Sequence, residues 1–217
     1  MNSGLFGGTF NPLHNGHLDT LRVVRENFGL DRVYLIPCAI PPHKSSAGLA
    51  SGSDRLEMIN ASIREIPGFF SSAIELERGG PSYTIDTVRE CKKQDLDGTI
   101  PHLIIGSDAF LDITTWERYD AIFEEASVIV MTRPGSENSF QEISAFIQQN
   151  ISAGYRFSEQ ADAFVHDRGK QNISVAEVPL INISSTRIRE LVRRGKPFGH
   201  LVPGPVKQII VEKGLYL

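Results

Sequence analysis

The feature that most constrains this chain is its alternation of short apolar runs with segments of helical periodicity. Residues 4–7, 32–37, 72–76, 102–106, 127–131 and 174–179 are short enough for strands, while 16–28, 53–65, 84–93, 116–125 and 185–194 repeat apolar residues at helical spacing. A chain that alternates in this way forms a mostly parallel sheet with helices on both faces, a doubly wound α/β class. Its 217 residues, 41% of them hydrophobic, suffice for a single domain, 1–217, that buries about 70% of its unfolded surface. The weakest pattern lies at 134–171, where a helical stretch at 140–147 gives way to Gly, Ser and polar residues, and it reads as a variable insertion. Residues 184–217 form the helical end of the same domain, with a last helix at 205–213 after the Pro203-Gly204-Pro205 turn.

Charge and cysteine usage narrow the function classes. A net charge of −4 and an isoelectric point near 5.9 argue against a protein that grips nucleic acid by its phosphate backbone, which takes a concentrated basic surface. Cys38 and Cys91 are too few for a disulfide framework, and no apolar run is long enough for a signal peptide or a membrane span. The expectation is a cytoplasmic chain with no membrane partner.

The junction between the first strand and the first helix reads Gly7-Gly8-Thr9-Phe10-Asn11-Pro12-Leu13-His14-Asn15-Gly16-His17. Exposed N–H groups at a helix start favour an anion, and in open parallel sheets the ligand lies beyond the carboxyl ends of the strands. Gly7 and Gly8 lack Cβ atoms, so backbone can approach a phosphate there. Asn15 is the expected N-cap, which puts His17 in the first helical turn and His14 just outside it. Two histidines could also serve a metal, but no third ligand of suitable spacing lies nearby, so no metal site is expected.

A second phosphate candidate follows the last strand, at Ile183-Ser184-Ser185-Thr186-Arg187-Ile188-Arg189. Ser184 and Ser185 are good N-cap residues, yet Arg187 and Arg189 are expected in the first turn, where the helix dipole disfavours cations by about 0.3–1 kcal/mol each. A triphosphate would offset that cost, because arginine binds phosphate oxygens bidentately.

Together the two segments resemble the paired signatures of the nucleotidyltransferase superfamily with H-x-G-H motifs. Within it, Pro41-Pro42-His43-Lys44, Ser82-Tyr83-Thr84-Ile85-Asp86-Thr87 and Ile105-Gly106-Ser107-Asp108, followed by Trp116, resemble the bacterial nicotinate-nucleotide adenylyltransferases. The likeness covers nearly the whole chain except 134–171. It departs at Asn11, where the family often has Asp in what reads as a structural role. The resemblance implies a Rossmann-like fold and transfer of AMP from ATP to nicotinate mononucleotide, giving deamido-NAD and pyrophosphate.

The resemblance also implies roles for individual residues. His14, His17, Lys44 and Arg189 would be catalytic, and Gly8, Thr9, Phe10, Gly106, Asp108, Arg133, Ser184 and Thr186 would join them around ATP. Tyr83, Thr84 and Trp116, with Lys44, would receive the mononucleotide, Trp116 by stacking on the pyridine ring. Mg²⁺ would arrive with ATP. The acceptor phosphate has a second pKa of about 6, so it is already a nucleophile at neutral pH and no carboxylate base is required. Alternatives are a small transferase with a nicotinamide mononucleotide or phosphopantetheine acceptor, or a catalytically silent nucleotide binder. The sequence leaves room for a homo-oligomer without specifying one.

Overall fold

The computed structural model describes residues 1–40, 48–94, 96, 98–132 and 140–217. Its elements begin with β1 (Ser3–Gly8), α1 (Asn15–Asn27), β2 (Arg32–Pro37), α2 (Gly52–Ile63), β3 (Phe69–Ser71) and the short α3 (Ile74–Arg78). There follow α4 (Thr84–Gln94), β4 (His102–Gly106), α5 (Ser107–Leu111), α6 (Tyr119–Glu125), β5 (Ser127–Thr132) and α7 (Phe140–Phe146). The last are β6 (Tyr155–Ser158), β7 (Ala163–His166), β8 (Ile173–Glu177), α8 (Ser185–Arg193) and α9 (Gly204–Glu212). Eight strands form one sheet in the order β3-β2-β1-β4-β5-β8-β7-β6. The pairs β2·β3, β1·β4, β4·β5 and β5·β8 are parallel, and β7 is antiparallel to both β6 and β8. This is the mostly parallel, Rossmann-like α/β arrangement that the alternation predicts.

Two compact units divide these elements. The first comprises Met1–Phe6 and Tyr83–Leu180. Its centre is β4 and β5, where Leu103, Ile104, Val128, Ile129 and Val130 are all buried, so both faces of these strands are covered, as parallel pairing requires. Helices α4 and α6 are tied by Glu125, whose carboxylate accepts from Lys92 Nζ at 2.6 Å and Arg89 Nε at 3.1 Å. The Lys92 ammonium, more than Arg89, holds that carboxyl below its usual range.

The second unit comprises Gly7–Ser82 and Ile181–Leu217. One core joins Met58 of α2 to Ile188 and Val192 of α8 and to Val206, Ile209 and Ile210 of α9, with Phe198 and Leu201 between the last two helices. Each such burial contributes about 1.5–3 kcal/mol, enough to seat α8 by packing alone. Lys213, at the end of α9, binds Asp54 at 2.6 Å and Glu57 at 2.5 Å on α2, and these bonds raise its ammonium pKa to about 12.

The structure corrects two expectations here. The strand expected at 72–76 lies earlier, at Phe69–Ser71, and Ile74–Arg78 is helical. Ile74 and Leu76 imitate a strand's period of two over so short a run, but Gly79, at φ 66°, closes a helical turn by donating to the Glu75 carbonyl. The helix expected to open at Trp116 opens at Tyr119. Trp116, Tyr119 and Phe123 have helical spacing, yet Arg118 adopts a left-handed conformation, φ 48°, and Trp116 instead ends a 3₁₀ turn at Ile113–Thr115. Of the segment that reads as a variable insertion, the described residues 140–171 hold α7, a π turn, β6 and β7. Four-residue strands carry too little periodicity to read, and they form because β8 offers an edge on which β7 can pair.

Candidate active site

Segment 9–12 leaves the end of β1 and is held by side chains from distant parts of the second unit. Arg189 Nη1 donates to the Asn11 carbonyl at 2.8 Å, and Ser185 Oγ donates to the Pro12 carbonyl at 2.9 Å, 173 residues away in sequence. The Asn11 side chain donates to the Gly48 carbonyl and accepts from the Ala50 N–H, both at 3.0 Å. That is the structural role expected of Asn11. Phe10 lies at φ 46°, a conformation that costs a non-glycine residue about 1–3 kcal/mol and persists only where the surroundings over-determine it. Its buried ring explains Gly8, because a Cβ there would come within 3.1 Å of that ring. Gly7 has open space around the equivalent position.

The N-cap of α1 is His14, not Asn15. Asn15 becomes the first helical residue because the Leu201 carbonyl accepts its N–H at 3.0 Å, a tertiary partner that local propensity does not contain. The rings of His14 and His17 stack with centroids 3.6 Å apart and planes 17° apart. His17 Nδ1 accepts the backbone N–H of His14 at 3.2 Å, so the neutral ring carries its proton on Nε2 and presents a donor there. Gly16 makes the stack fit, since a Cβ would lie 3.1 Å from His14 Nδ1 and 3.3 Å from Ile181. Phe10 meets His17 edge-on at 5.3 Å. No acidic residue occupies the first turn of α1, which leaves the positive end of its dipole for an anion.

Helix α8 repeats this arrangement. Ser184 is its N-cap and accepts the Arg187 N–H at 3.2 Å, and its first turn is likewise free of acids. Thr186 and Arg187 are exposed, whereas Arg189 is half-buried, with Nη2 on the Thr186 hydroxyl at 3.3 Å and Nη1 on Asn11. Gly8, Thr9, Phe10, His14, His17, Ser184, Thr186 and Arg189 thus all belong to the second unit. Sequence reading passed over Arg55, a buried neighbour whose Nη1 donates to the Thr9 carbonyl at 3.0 Å. Arginine inside an amphipathic helix reads as a solvated residue, and only its near-complete burial marks it.

The remaining expected residues lie in the first unit. Asp108 is exposed in the first turn of α5, and Gly106 leaves it room, because a Cβ there would lie 2.6 Å from Asp108 Oδ1. Tyr83 and Thr84 are half-buried at the start of α4, where the Tyr83 carbonyl accepts the N–H groups of Asp86 and Thr87. Half-buried Trp116 lies two residues before Arg118, whose Nη2 binds Asp86 of α4 at 2.5 Å and so fastens the Trp116 turn to the segment after Tyr83. Lys44 and Arg133 lie outside the described residues. Among the described residues no group of three His, Cys, Asp or Glu side chains could hold a metal ion.

The cytidylyltransferase-like family pattern matches residues 5–191. A probable nicotinate-nucleotide adenylyltransferase of Geobacter sp. (strain M21) is 40% identical over 217 residues, covering 100% of this chain and 99% of that protein. A second, from Desulfatibacillum aliphaticivorans, is 37% identical over 222 residues and covers both chains completely. The chain belongs to the nicotinate-nucleotide adenylyltransferase family. Among solved structures, the Plasmodium falciparum nicotinic acid mononucleotide adenylyltransferase complexed with NaAD superposes with a TM-score of 0.74 at 16% identity, covering 99% of this chain and 97% of that one. That degree of likeness speaks for the fold alone.

Proposed function

We propose that this chain is a nucleotidyltransferase that moves AMP from ATP to nicotinate mononucleotide, forming deamido-NAD and pyrophosphate in NAD biosynthesis. The observation that carries the reading is the stacked histidine pair at the acid-free start of α1, with His17 held as an Nε2–H donor by the His14 N–H. An oxygen of the acceptor phosphate attacks the α-phosphorus of ATP, a new P–O bond forms, and the bond to the bridging oxygen of pyrophosphate breaks. The acceptor is ionised beforehand, so catalysis consists of aligning two anions and stabilising charge on the α-phosphate and the leaving group. His17 supplies a neutral donor at the α-phosphate, and the start of α8 with Ser184, Thr186 and Arg189 receives the leaving phosphates. Tyr83, Thr84 and Trp116 take the nicotinate end, Asp108 a ribose hydroxyl, and Lys44 and Arg133 further phosphate oxygens.

Magnesium fits as part of the ATP complex, held by phosphate oxygens and water, since these residues are hydrogen-bond donors and cations rather than a carboxylate cage. When bound it neutralises triphosphate charge. A cytoplasmic setting suits two buried cysteines and described helices of which none is long and apolar enough to cross a membrane. The test supplies ATP and Mg²⁺ with either nicotinate or nicotinamide mononucleotide and measures pyrophosphate. Release with the acid acceptor is the expected result. No release with either acceptor overturns the reading, and release with the amide alone overturns the acid preference.

A further inference from the structure

Arg55 is 1% exposed and is among the largest fully buried side chains in the protein. A buried guanidinium ordinarily pairs with a carboxylate, because desolvating its charge is otherwise unfavourable. Here its partners among the described residues are backbone carbonyls: Nε donates to Ala50 at 3.1 Å and Nη1 to Thr9 at 3.0 Å. Arg189 donates to the Asn11 carbonyl, so two arginines from different helices hold the carbonyls of the residues on either side of Phe10, Thr9 and Asn11. Both guanidinium groups also act electrostatically on the buried hydroxyl of Tyr216, which places them around one locus.

In a trans peptide the carbonyl and the following N–H point in opposite directions. Holding the Thr9 oxygen on α2 therefore sets the direction of the Phe10 N–H, and it stabilises Phe10 in its left-handed conformation with its ring against His17. We propose that Arg55 is a positioning residue for ATP: it touches no substrate, but through the Thr9 carbonyl it aims the Thr9-Phe10 peptide, and through Phe10 it fixes the His17 ring toward the phosphates. The mechanism of this effect rests on the adenylyl-transfer reading. The ATP-binding part does not.

The test compares Arg55→Lys, which keeps the charge but reaches one carbonyl instead of two, with Arg55→Met, which keeps most of the volume. Each is measured for melting temperature, for the increase in melting temperature caused by ATP and Mg²⁺ without acceptor, and for kcat and both KM values. A positioning role predicts a smaller ATP-induced increase, an ATP KM raised about tenfold and a kcat lowered about tenfold or more, with the acceptor KM within twofold of wild type. Lysine should fall between wild type and methionine. Variants with a lower melting temperature but an unchanged ATP increment and unchanged KM values make Arg55 purely structural and overturn the proposal, as does failure of both variants to fold. If wild type releases no pyrophosphate, the reaction fails while the ATP increment still decides whether Arg55 shapes the nucleotide site.

Discussion

The two halves of the expected site are built on different physical principles. Around segment 9–17, backbone carbonyls are captured by Arg55, Ser185 and Arg189, two imidazoles stack, and glycines at 8 and 16 leave room for neighbouring rings. Around Trp116 and Tyr83 the side chains are half-exposed, and the described tie between the two turns is the Arg118–Asp86 ion pair, whose partners are 46% and 36% exposed. Segment 9–17, the rigid half, is held by several part-buried hydrogen bonds from residues far away in sequence. The described tie between the Trp116 and Tyr83 turns is an exposed ion pair of a kind worth at most about 1 kcal/mol. The contrast suits the proposed roles, in which the first half aligns charges and the second receives a ring.

The sharpest way to break this comparison is His17→Ala. Loss of a preorganised donor to the reacting phosphate should cut kcat by about a hundredfold or more, with the melting temperature little changed. Near-normal turnover would place the chemistry elsewhere. Trp116→Ala should act on binding instead, raising the acceptor KM about three- to tenfold, the scale of one aromatic stack, while kcat and the ATP KM stay near wild type. A fall in kcat without a change in acceptor KM would make Trp116 part of the rigid half. Asp86→Asn should be milder still: about a twofold rise in acceptor KM and under about 1 kcal/mol of stability, with the difference from wild type shrinking in high salt.

The smallest effect concerns acid. Burial pushes the His102 imidazole, at the start of β4, below its ordinary value of 6.5. The unfolded chain then takes up a proton as the pH falls through 6.5 while the folded chain does not, so stability should decline from there towards the lowered folded value. Above that range His102 should have no influence. His102→Gln should flatten the slope just below pH 6.5 in a series of denaturant titrations, and an unchanged slope would remove His102 from the account.

Much of the half proposed to bind phosphate was legible in the chain because its residues are contiguous. Strand, glycines, Thr9, two histidines and helix occur within one stretch, and Ser184 and Ser185 both offer an N-cap before Ile188 and Val192, of which the structure uses Ser184. The strands 32–37 and 102–106 were legible to the residue because the apolar runs 33–37 and 103–105 are uninterrupted, too short for a buried helix and bounded by polar residues or glycine. Arg55 was not legible, since nothing local distinguishes an arginine that faces the core from one that faces water. Nor was the N-cap at His14, which depends on a carbonyl of Leu201. Arg118 hid the true start of α6 for a similar reason: its left-handed conformation accompanies a bond to a side chain 32 residues earlier.

By itself, then, the sequence determined the α/β alternation and the family, and it named the residues proposed to meet phosphate, because each is encoded in local period or in a contiguous motif. Tertiary structure alone decided that the two motifs at 9–17 and 183–189 are bonded to each other through Asn11 and Pro12, and that His14 caps α1 with Leu201 on the Asn15 N–H. Those outcomes depend on hydrogen bonds between segments more than 170 residues apart, such as the 178 residues between Arg189 and Asn11, and such partners are chosen by packing rather than by propensity.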